Sequence, residues 1–258
     1  MTAALGPRGY TSTHVDAYFR HLADLVGFSA AVFRAGVHAA GVARYLADME
    51  ASIAAYRRAL ERGRGALMVC PHLIGHEVVA GASTAALPIT VLVRAASEPA
   101  YEAIKMQWYA ALGVEVVLRP RHRAADQGLT EMTAALRALR LGRVLAVTPD
   151  LLRAPGSGVT VRLFGREATL PPGAFFLAVR TGTPLLCSFF WEEGGVYRVR
   201  TDEPIEIVRT DDRDRDVADV AQAWATRFET FVREHPDMWL FWLDKRWRRW
   251  LAAPRVAA

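Results

Sequence analysis

The chain has 258 residues, of which 52% are hydrophobic and 23% are charged, and its formal net charge is +5. This composition excludes an intrinsically disordered chain and allows a sizeable buried core, so the sequence predicts one large domain. The positive charge suits an anionic partner, which could be a membrane surface, a nucleic acid or a phosphorylated substrate. Cys70 and Cys187 lie in apolar runs, which predicts buried free thiols rather than a disulfide.

The first quarter of the chain has a helical pattern. Apolar residues recur at three- and four-residue steps between Thr13 and Arg62, which predicts two or three helices before any strand. Such helices could cover a sheet, form a wall of a substrate groove or lie on a membrane. No signal peptide is predicted, and no unbroken apolar run reaches the roughly 18 to 20 residues that a spanning helix needs.

From residue 66 onward, short apolar runs alternate with helical patterns. The predicted strands are 66–70, 88–93, 114–118, 144–147, 160–164, 185–190 and 197–207, the last as an antiparallel or edge strand. The predicted helices between and after them are 76–86, 98–112, 129–141, 172–181 and 212–234. This alternation predicts the α/β class, with a single mixed, largely parallel sheet flanked by helices.

The domain organisation follows from the same alternation. No internal repeat or linker divides the chain, so residues 1–258 are predicted to form a single domain. Within it, residues 1–63 form an N-terminal helical segment, residues 64–234 an α/β core, and residues 235–258 a basic and aromatic C-terminal segment.

A histidine and a glutamate follow the first strand of the core. His72 stands where the strand ends, and Glu77 comes five residues later at the start of a helical pattern. Catalytic groups favour the carboxyl edge of an α/β sheet. A glutamate in the first helical turn could reach back to the imidazole, hold one ring nitrogen and leave the other as a base. A histidine that only caps or packs is the competing interpretation.

Further candidate residues stand at other strand ends and loops. Arg94 ends the second strand, where it could face an oxyanion, clamp a phosphate or form a structural ion pair. Backbone N–H groups near Gly75 are alternative oxyanion donors. Asp150 closes the fourth strand, where it could orient an acceptor or bind Arg94. Arg153 begins a loop of small residues that is typical of substrate gating.

The C-terminal segment mixes tryptophans with basic residues. Trp247, Arg248, Arg249 and Trp250 are predicted to bind the headgroup level of an anionic membrane. The tryptophans could instead pack on the sheet. No nucleic-acid partner is predicted, because no single-strand-binding scaffold accompanies the segment.

In order and spacing, these motifs resemble the late lipid A acyltransferases. These are the lauroyl and myristoyl transferases of the lysophospholipid acyltransferase superfamily, and they are related to the phosphatidylinositol mannoside acyltransferase. The resemblance extends from about residue 45 to 247. It rests on the H-x4-E pattern at His72, on Arg94, on Pro149-Asp150, on the block at 164–184 and on the closing HPD-x-W-x2-W-x2-KRW pattern at 235–247.

The chain also departs from that family at three places. Gly75-His76 stands before the motif acid, where a small or aromatic pair such as Asn-Trp is usual. Leu151 stands where glutamine is frequent, and Asp244 where histidine is frequent. The catalytic pair of the H-x4-E pattern is intact, so the departures concern the substrate.

The resemblance implies an O-acyltransferase with a glycerol-phosphate-acyltransferase-like fold. His72 would deprotonate an acceptor hydroxyl, Glu77 would orient His72, and Gly75, Arg94, Asp150 and Arg153 would contact substrate. No cofactor is implied beyond the co-substrate, which is acyl-CoA or acyl-carrier protein. The implied acceptor is a lipid or glycolipid, and the implied location is peripheral, on the anionic cytoplasmic face of the inner membrane. Acceptor identity, chain length and donor type are left open.

Two other functions fit parts of the sequence. His72 and His76 could ligate one metal with Glu77 nearby, as in a metallohydrolase, but a zincin needs H-E-x-x-H, so no metal site is predicted. A non-catalytic membrane- or lipid-binding module could use the basic and aromatic C-terminal segment. Pure binding would need neither His72 nor Glu77.

Overall fold

The computed structural model describes residues 1–6, 9–119 and 125–253, and within these ranges every side chain except those of 119 and 125–131. The α-helices are α1 (Thr2–Leu5), α2 (Ser12–Ala35), α3 (Met49–Leu60), α4 (His76–Ala82), α5 (Pro99–Leu112), α6 (Ala125–Arg140), α7 (Gly173–Thr181), α8 (Arg213–Glu234) and α9 (Lys245–Ala252). The strands are β1 (Leu46–Ala47), β2 (Ala66–Val69), β3 (Ile89–Arg94), β4 (Glu115–Arg119), β5 (Val144–Val147), β6 (Val159–Leu163), β7 (Arg166–Leu170), β8 (Leu185–Glu193) and β9 (Val196–Thr201).

Helix ends follow local sequence signals. Thr11 and His14 form a capping box at the start of α2. Asp212 accepts a hydrogen bond from the Arg215 N–H at the start of α8, and Pro99 occupies the first turn of α5. The helices predicted from periodicity are therefore present, with ends shifted by a few residues.

Seven strands form one mixed sheet in the order β1-β9-β8-β2-β5-β3-β4. Its neighbours are parallel except β8 and β9, which are antiparallel. The predicted fold class is therefore confirmed, as is the antiparallel character of β9. Strand β2 is central, so the turn that follows it lies at the middle of the carboxyl edge.

Three local predictions need correction. Strand β6 pairs only with β7, in a separate two-stranded hairpin, because the intervening tight turn favours local pairing. Strand β9 ends at Thr201, whereas the sequence predicted a strand to residue 207. The short strand β1 precedes α3, so the helical N-terminal segment is interrupted.

The two faces of the sheet are covered by different helices. Along β2, Leu67 and Val69 belong to the core under α6, α7 and α8, whereas Ala66 and Met68 pack with α3. This alternation follows from the two-residue period of a strand. A third apolar cluster joins α2, α4 and α5. Within the described residues, every helix is too short or too polar to span a bilayer.

Candidate functional site

The site is centred on the turn that follows β2. Gly75 caps α4 with φ of 91°, a left-handed conformation that side chains disfavour, and it lets the chain reverse directly from strand to helix. Strand β2 pairs with β5 in register, with Val69 opposite Val147. His72 and Asp150 each lie three residues beyond that pair, so the register brings the two turns together.

Asp150 holds the backbone and the ring of His72. Its Oδ1 lies 2.5 Å from His72 Nδ1, and its Oδ2 accepts the His72 backbone N–H at 2.9 Å. Burial raises the pKa of Asp150, but the adjacent His72 and these hydrogen bonds outweigh burial and keep the pKa below its usual range. An ionised Asp150 accepts the Nδ1 proton, which leaves the lone pair of the neutral ring on Nε2.

Two tryptophans complete the surroundings of Asp150. Trp239 Nε1–H donates to Asp150 Oδ2 at 3.0 Å, and Trp247 Nε1–H donates to the Asp150 carbonyl at 2.9 Å. Both indoles are buried, and the Asp150 side chain is fully buried. His72 keeps 19% of its side chain exposed. The carboxylate is thus enclosed while the ring that it orients stays accessible.

The C-terminal segment supports the same turn from the outside. Leu240 N–H donates to the His72 carbonyl, and Ile74 N–H donates to the Met238 carbonyl, both at 2.9 Å. The Phe241 ring lies 4.4 Å from the His72 ring, centroid to centroid. The closing HPD-x-W pattern is therefore part of the site, although it lies more than 160 residues from His72 in the chain.

Glu77 has a different set of contacts. Its carboxylate accepts hydrogen bonds from Trp108 Nε1–H at 2.7 Å and from the Tyr109 hydroxyl at 2.5 Å. The predicted hydrogen-bond partner of His72 was therefore wrong: Asp150 occupies Nδ1, and Glu77 ties α4 to α5. Both Glu77 and His72 line the same cavity, as predicted. A catalytic role for Glu77 stays a prediction.

His76 stands beside His72. Their ring centroids are 5.2 Å apart. Nδ1–H of His76 donates to the Leu73 carbonyl at 2.8 Å. Burial lowers the pKa of His76, and the neighbouring Glu77 opposes that effect only in part. Burial thus favours the neutral form of the ring.

The site opens into a cavity of about 1030 Å³. One lobe lies on the α3 face of the sheet, between α3 and α4, and its lining includes Ile53, Tyr56, Met68, Val79, Leu87 and Ala146. Its lining runs from His72, beyond the carboxyl end of β2, to Leu87, which precedes β3. The other lobe lies on the opposite face, beside α7 and the loop at 151–157.

Two of the four residues predicted to bind substrate line this cavity. Arg94 and Arg153 both line it. Arg94 is exposed, and the predicted ion pair between Arg94 and Asp150 is absent. Gly75 lies at the turn itself and lines a second, smaller pocket together with Leu25 and Phe190. Asp150 is too enclosed to touch an acceptor, so its contact is with His72 instead.

The four residues predicted to bind a membrane divide into two groups. Arg248 and Arg249 are exposed. Trp247 is buried against Asp150, and Trp250 Nε1–H donates to the Glu167 carbonyl. Packing therefore accounts for the two indoles, and membrane binding stays a prediction for the arginines.

A metal centre has little support in the described residues, where no three His, Cys, Asp or Glu side chains form a group that could hold an ion. Nδ1 of His72 and Nδ1 of His76 are both hydrogen-bonded to protein atoms. Cys70 and Cys187 are free thiols. The ring of His72 is instead oriented by Asp150.

Sequence reasoning missed three contributors to the site. Thr148, whose Oγ1 lies 3.2 Å from His72 Nε2, precedes Asp150 at the end of β5. Trp239 was recognised only as part of a motif, and Tyr109 was not singled out. The register of β2 against β5 was the missing information, because it decides which turn residues meet.

Comparison with known proteins shows the family of the chain. A family model described as bacterial lipid A biosynthesis acyltransferase matches residues 53–249. A phosphatidylinositol mannoside acyltransferase of Mycobacterium tuberculosis is 30% identical over 207 residues, which cover 77% of this chain and 60% of that protein. One of Mycolicibacterium smegmatis is 30% identical over 185 residues, which cover 70% of this chain and 56% of that protein. The chain thus spans less than two thirds of the length of these relatives.

Proposed function

Because the chain belongs to the bacterial lipid A biosynthesis acyltransferase family, we propose that it transfers a fatty acyl group from an acyl thioester to a hydroxyl group of a lipid or glycolipid. The observation that carries this proposal is the His72 ring, oriented by buried Asp150 at the junction of two cavity lobes. A module that only bound lipid would have no use for an enclosed carboxylate aimed at an accessible imidazole.

His72 acts as the general base. With Nδ1–H held by Asp150, the Nε2 lone pair accepts the proton of a hydroxyl as its oxygen attacks the acyl carbonyl. The imidazolium that forms is stabilised by the Asp150 carboxylate at 2.5 Å and returns its proton to the leaving thiolate. Asp150 is thus a positioning residue, because it acts through His72.

The lobe between α3 and α4 receives the fatty acyl chain. Its lining is mainly apolar, which suits a fatty acyl chain rather than a small polar acid. The small side chains of Ala80 and Ala146 leave room for the acyl chain along this lobe. The chain enters beside His72, which places the acyl carbonyl next to the base.

The arginines around the cavity suit the anionic parts of the substrates. Arg94 ends β3 beside the mouth, and Arg246 lines the second lobe with 58% of its side chain exposed. Guanidinium groups bind phosphate oxygens in a bidentate manner. Acyl-CoA and acyl-carrier protein both carry phosphate, so either donor fits. Arg94 facing the oxyanion of the tetrahedral intermediate is the alternative role.

The acceptor is proposed to be a lipid whose reacting hydroxyl belongs to a polar headgroup. The two mycobacterial relatives are named for a glycolipid acceptor, phosphatidylinositol mannoside. Neutral His76, 5.2 Å from His72, adds a second polar ring at the reaction centre, which suits a headgroup with several hydroxyls. The second lobe, with its arginines, is where such a headgroup would enter.

Lipid substrates require contact with a membrane surface, and peripheral binding on the anionic cytoplasmic face of the inner membrane is proposed. Exposed apolar side chains recur at seven-residue steps on α2, namely Phe19, Val26 and Phe33, with 55%, 70% and 45% of their surface exposed. Seven residues are two helical turns, so these side chains share one side of α2. Exposed Arg248 and Arg249 would add attraction to anionic lipids.

The test is to incubate the purified chain with labelled acyl-CoA or acyl-carrier protein and a bacterial lipid extract, and to identify products by mass spectrometry. We expect an acylated lipid that is absent when His72→Ala replaces the wild type. The product mass identifies acceptor and acyl chain together. Failure to form an acylated lipid with either donor would reject the proposed function.

A further inference from the structure

His76 presents a hydrogen-bond acceptor beside the base. Its Nδ1–H donates to the Leu73 carbonyl at 2.8 Å, so the proton of the neutral ring is on Nδ1 and the lone pair is on Nε2. Among the described residues, the hydrogen bonds of the His76 ring are made by Nδ1 alone. His76 lines the large cavity, and burial lowers its pKa, which favours the neutral ring. The ring therefore offers a ligand in the cavity an acceptor and no donor.

The ring of His72 offers the same kind of group. Asp150 holds Nδ1–H of His72, so the lone pair of this ring is also on Nε2. The centroids of the two rings are 5.2 Å apart, and both rings line one cavity. A single hydroxyl has one hydrogen and can donate to only one of the two rings. Two hydroxyls on nearby carbons of one headgroup can donate to both.

The two imidazoles differ in the group that holds Nδ1. For His72 it is the carboxylate of Asp150, which stabilises the imidazolium that forms during transfer. For His76 it is the neutral carbonyl of Leu73, while burial and the nearby His72 both lower the pKa of His76. His72 therefore takes a proton from its hydroxyl, whereas His76 only accepts a hydrogen bond. One hydroxyl of a pair is thus selected for reaction and the other for binding.

The polarity of His76 narrows the choice of ligand. Phosphate oxygens and the thioester carbonyl are acceptors, so they gain no hydrogen bond from an unprotonated Nε2. The donor substrate has one suitable group near its thioester, the first amide N–H of the pantetheine arm. The reacting hydroxyl of the acceptor lies on His72 itself, so a second hydroxyl close to it is the nearer partner for His76.

We propose that His76 binds a second hydroxyl of the acceptor, so that the chain selects headgroups in which the reacting hydroxyl has another on the next carbon or the one after it. This inference rests on the proposed function. The first hydroxyl displaces Thr148 from His72 Nε2 and loses its proton to that atom. Its oxygen forms the ester bond as the C–S bond of the thioester breaks, and the proton passes to the thiolate. The second hydroxyl keeps its proton and donates it in a hydrogen bond to His76 Nε2.

The first measurement identifies the neighbour of the acylated hydroxyl. The full chain is incubated with a bacterial lipid extract and labelled acyl-CoA or acyl-carrier protein, and tandem mass spectrometry locates the new acyl group in each product. We expect a free hydroxyl on the first or second carbon from the acylated one. A product without such a hydroxyl, as from an acceptor with one isolated hydroxyl, would overturn the inference.

Three variants connect the second hydroxyl to His76. His76→Phe keeps a flat ring without nitrogens, and kcat/KM for the acceptor should fall about 10- to 100-fold, because a hydroxyl is left without its partner. The KM for the donor and the slow hydrolysis of donor without acceptor should stay near wild type, whereas a merely structural role would change both. His76→Gln places an amide oxygen near the position of Nε2 and should restore part of the loss. His38→Phe, at an exposed histidine outside this cavity, is the matched control.

The outcomes separate this inference from the proposed function. Unchanged kcat/KM for the acceptor in folded His76→Phe would overturn the role of His76 and leave the acyltransferase standing. A higher KM for the donor in His76→Phe, with that for the acceptor unchanged, would assign Nε2 to the pantetheine amide and would overturn the inference as well. A wild-type chain that forms no acylated lipid with either donor would reject the proposed function, and the inference with it.

Discussion

Two carboxylates, Asp150 and Glu77, lie near His72, and their environments differ. Asp150 is fully buried, accepts hydrogen bonds from the His72 ring and backbone, and is held by the Trp239 indole. Glu77 is partly exposed, and its oxygens accept hydrogen bonds from two residues of α5. One carboxylate orients the His72 ring, while the other connects the helix that follows it to α5.

The comparison teaches that sequence proximity is a poor guide to the partner of a catalytic side chain. Glu77 is five residues from His72, but it lies in the first turn of α4 and points to the neighbouring helix. Asp150 is 78 residues away, yet the pairing of β2 with β5 makes it the neighbour of His72. The following predictions test this division of roles.

The largest effect is expected for His72→Ala. The variant lacks the atom that takes the acceptor proton, so transfer from acyl thioester to lipid should be abolished. Circular dichroism should show an intact fold. Near-wild-type transfer by the folded variant would contradict the mechanism, whichever carboxylate serves as its partner.

The different roles of the two carboxylates are tested by comparing the turnover of Asp150→Asn with that of Glu77→Gln. Both changes replace a carboxylate by an amide of the same shape. Asp150→Asn should lose about 10² to 10⁴ in turnover, since the amide no longer fixes the protonated Nδ1 tautomer. Glu77→Gln should lose far less, because its oxygens do not touch the ring. The measurement is kcat for acyl transfer, and equal losses, or a larger loss at Glu77, would reverse the assignment.

Tyr109→Phe tests the structural role of Glu77. The change removes a hydrogen bond to a charged carboxylate between α4 and α5, so the free energy of unfolding should fall by about 1.5 to 3 kcal/mol. Denaturant unfolding measures this loss. Tyr101→Phe, at a side chain that is 62% exposed on the same helix, is the control and should change little.

The segment that holds Asp150 also tests the membrane prediction. Trp247 donates to the Asp150 backbone carbonyl, whereas Arg248 and Arg249 are exposed. Replacing both arginines by glutamine should weaken binding to anionic vesicles by about 1 kcal/mol per residue and leave binding to neutral vesicles unchanged. Vesicle sedimentation at low salt measures this. Unchanged binding to anionic vesicles would leave the exposed apolar side of α2 as the remaining contact.

The smallest effect near neutral pH is expected for the dependence of folding stability on pH. Asp150 has a pKa below its usual range in the folded state, so the unfolded chain binds the proton more readily. Its contribution to stability is present above about pH 3.9, the value for a free aspartate, and is lost as pH falls through the lower folded pKa. Asp150→Asn should flatten that acid slope in urea titrations, whereas Asp211→Asn, at an exposed aspartate, should leave it unchanged. If Asp150→Asn does not change the loss of stability at acid pH, other groups cause that loss.

Local patterns were sufficient for most of the secondary structure. The apolar run before Pro71 predicts a strand, and the periodicity of residues 98–112 and 212–234 predicts helices that the structure has almost in full. The alternation of the two element types predicts the mixed sheet. The hairpin of β6 and β7 was not predicted, because its strands pair with each other rather than with the main sheet.

The sequence predicted several residues of the candidate site, but it did not predict which of them are in contact. His72, Asp150 and Arg94 were all named from their positions at strand ends. The partner of His72 was wrong, since proximity in the chain favoured Glu77. Thr148 was missed, because a threonine after an apolar strand carries no signal until the neighbouring turn is known.

The sequence by itself determined the fold class and the family and singled out His72, because periodicity, motif order and the position of His72 after a strand are local properties of the chain. Only the tertiary structure decided that Asp150 is the partner, that Trp239 and Trp247 enclose it, and that Thr148 faces Nε2. These contacts join residues that are up to 97 positions apart, as between Asp150 and Trp247. They depend on strand register and on the docking of the C-terminal segment, and a shift of one residue in register would turn each side chain to the other face of the sheet.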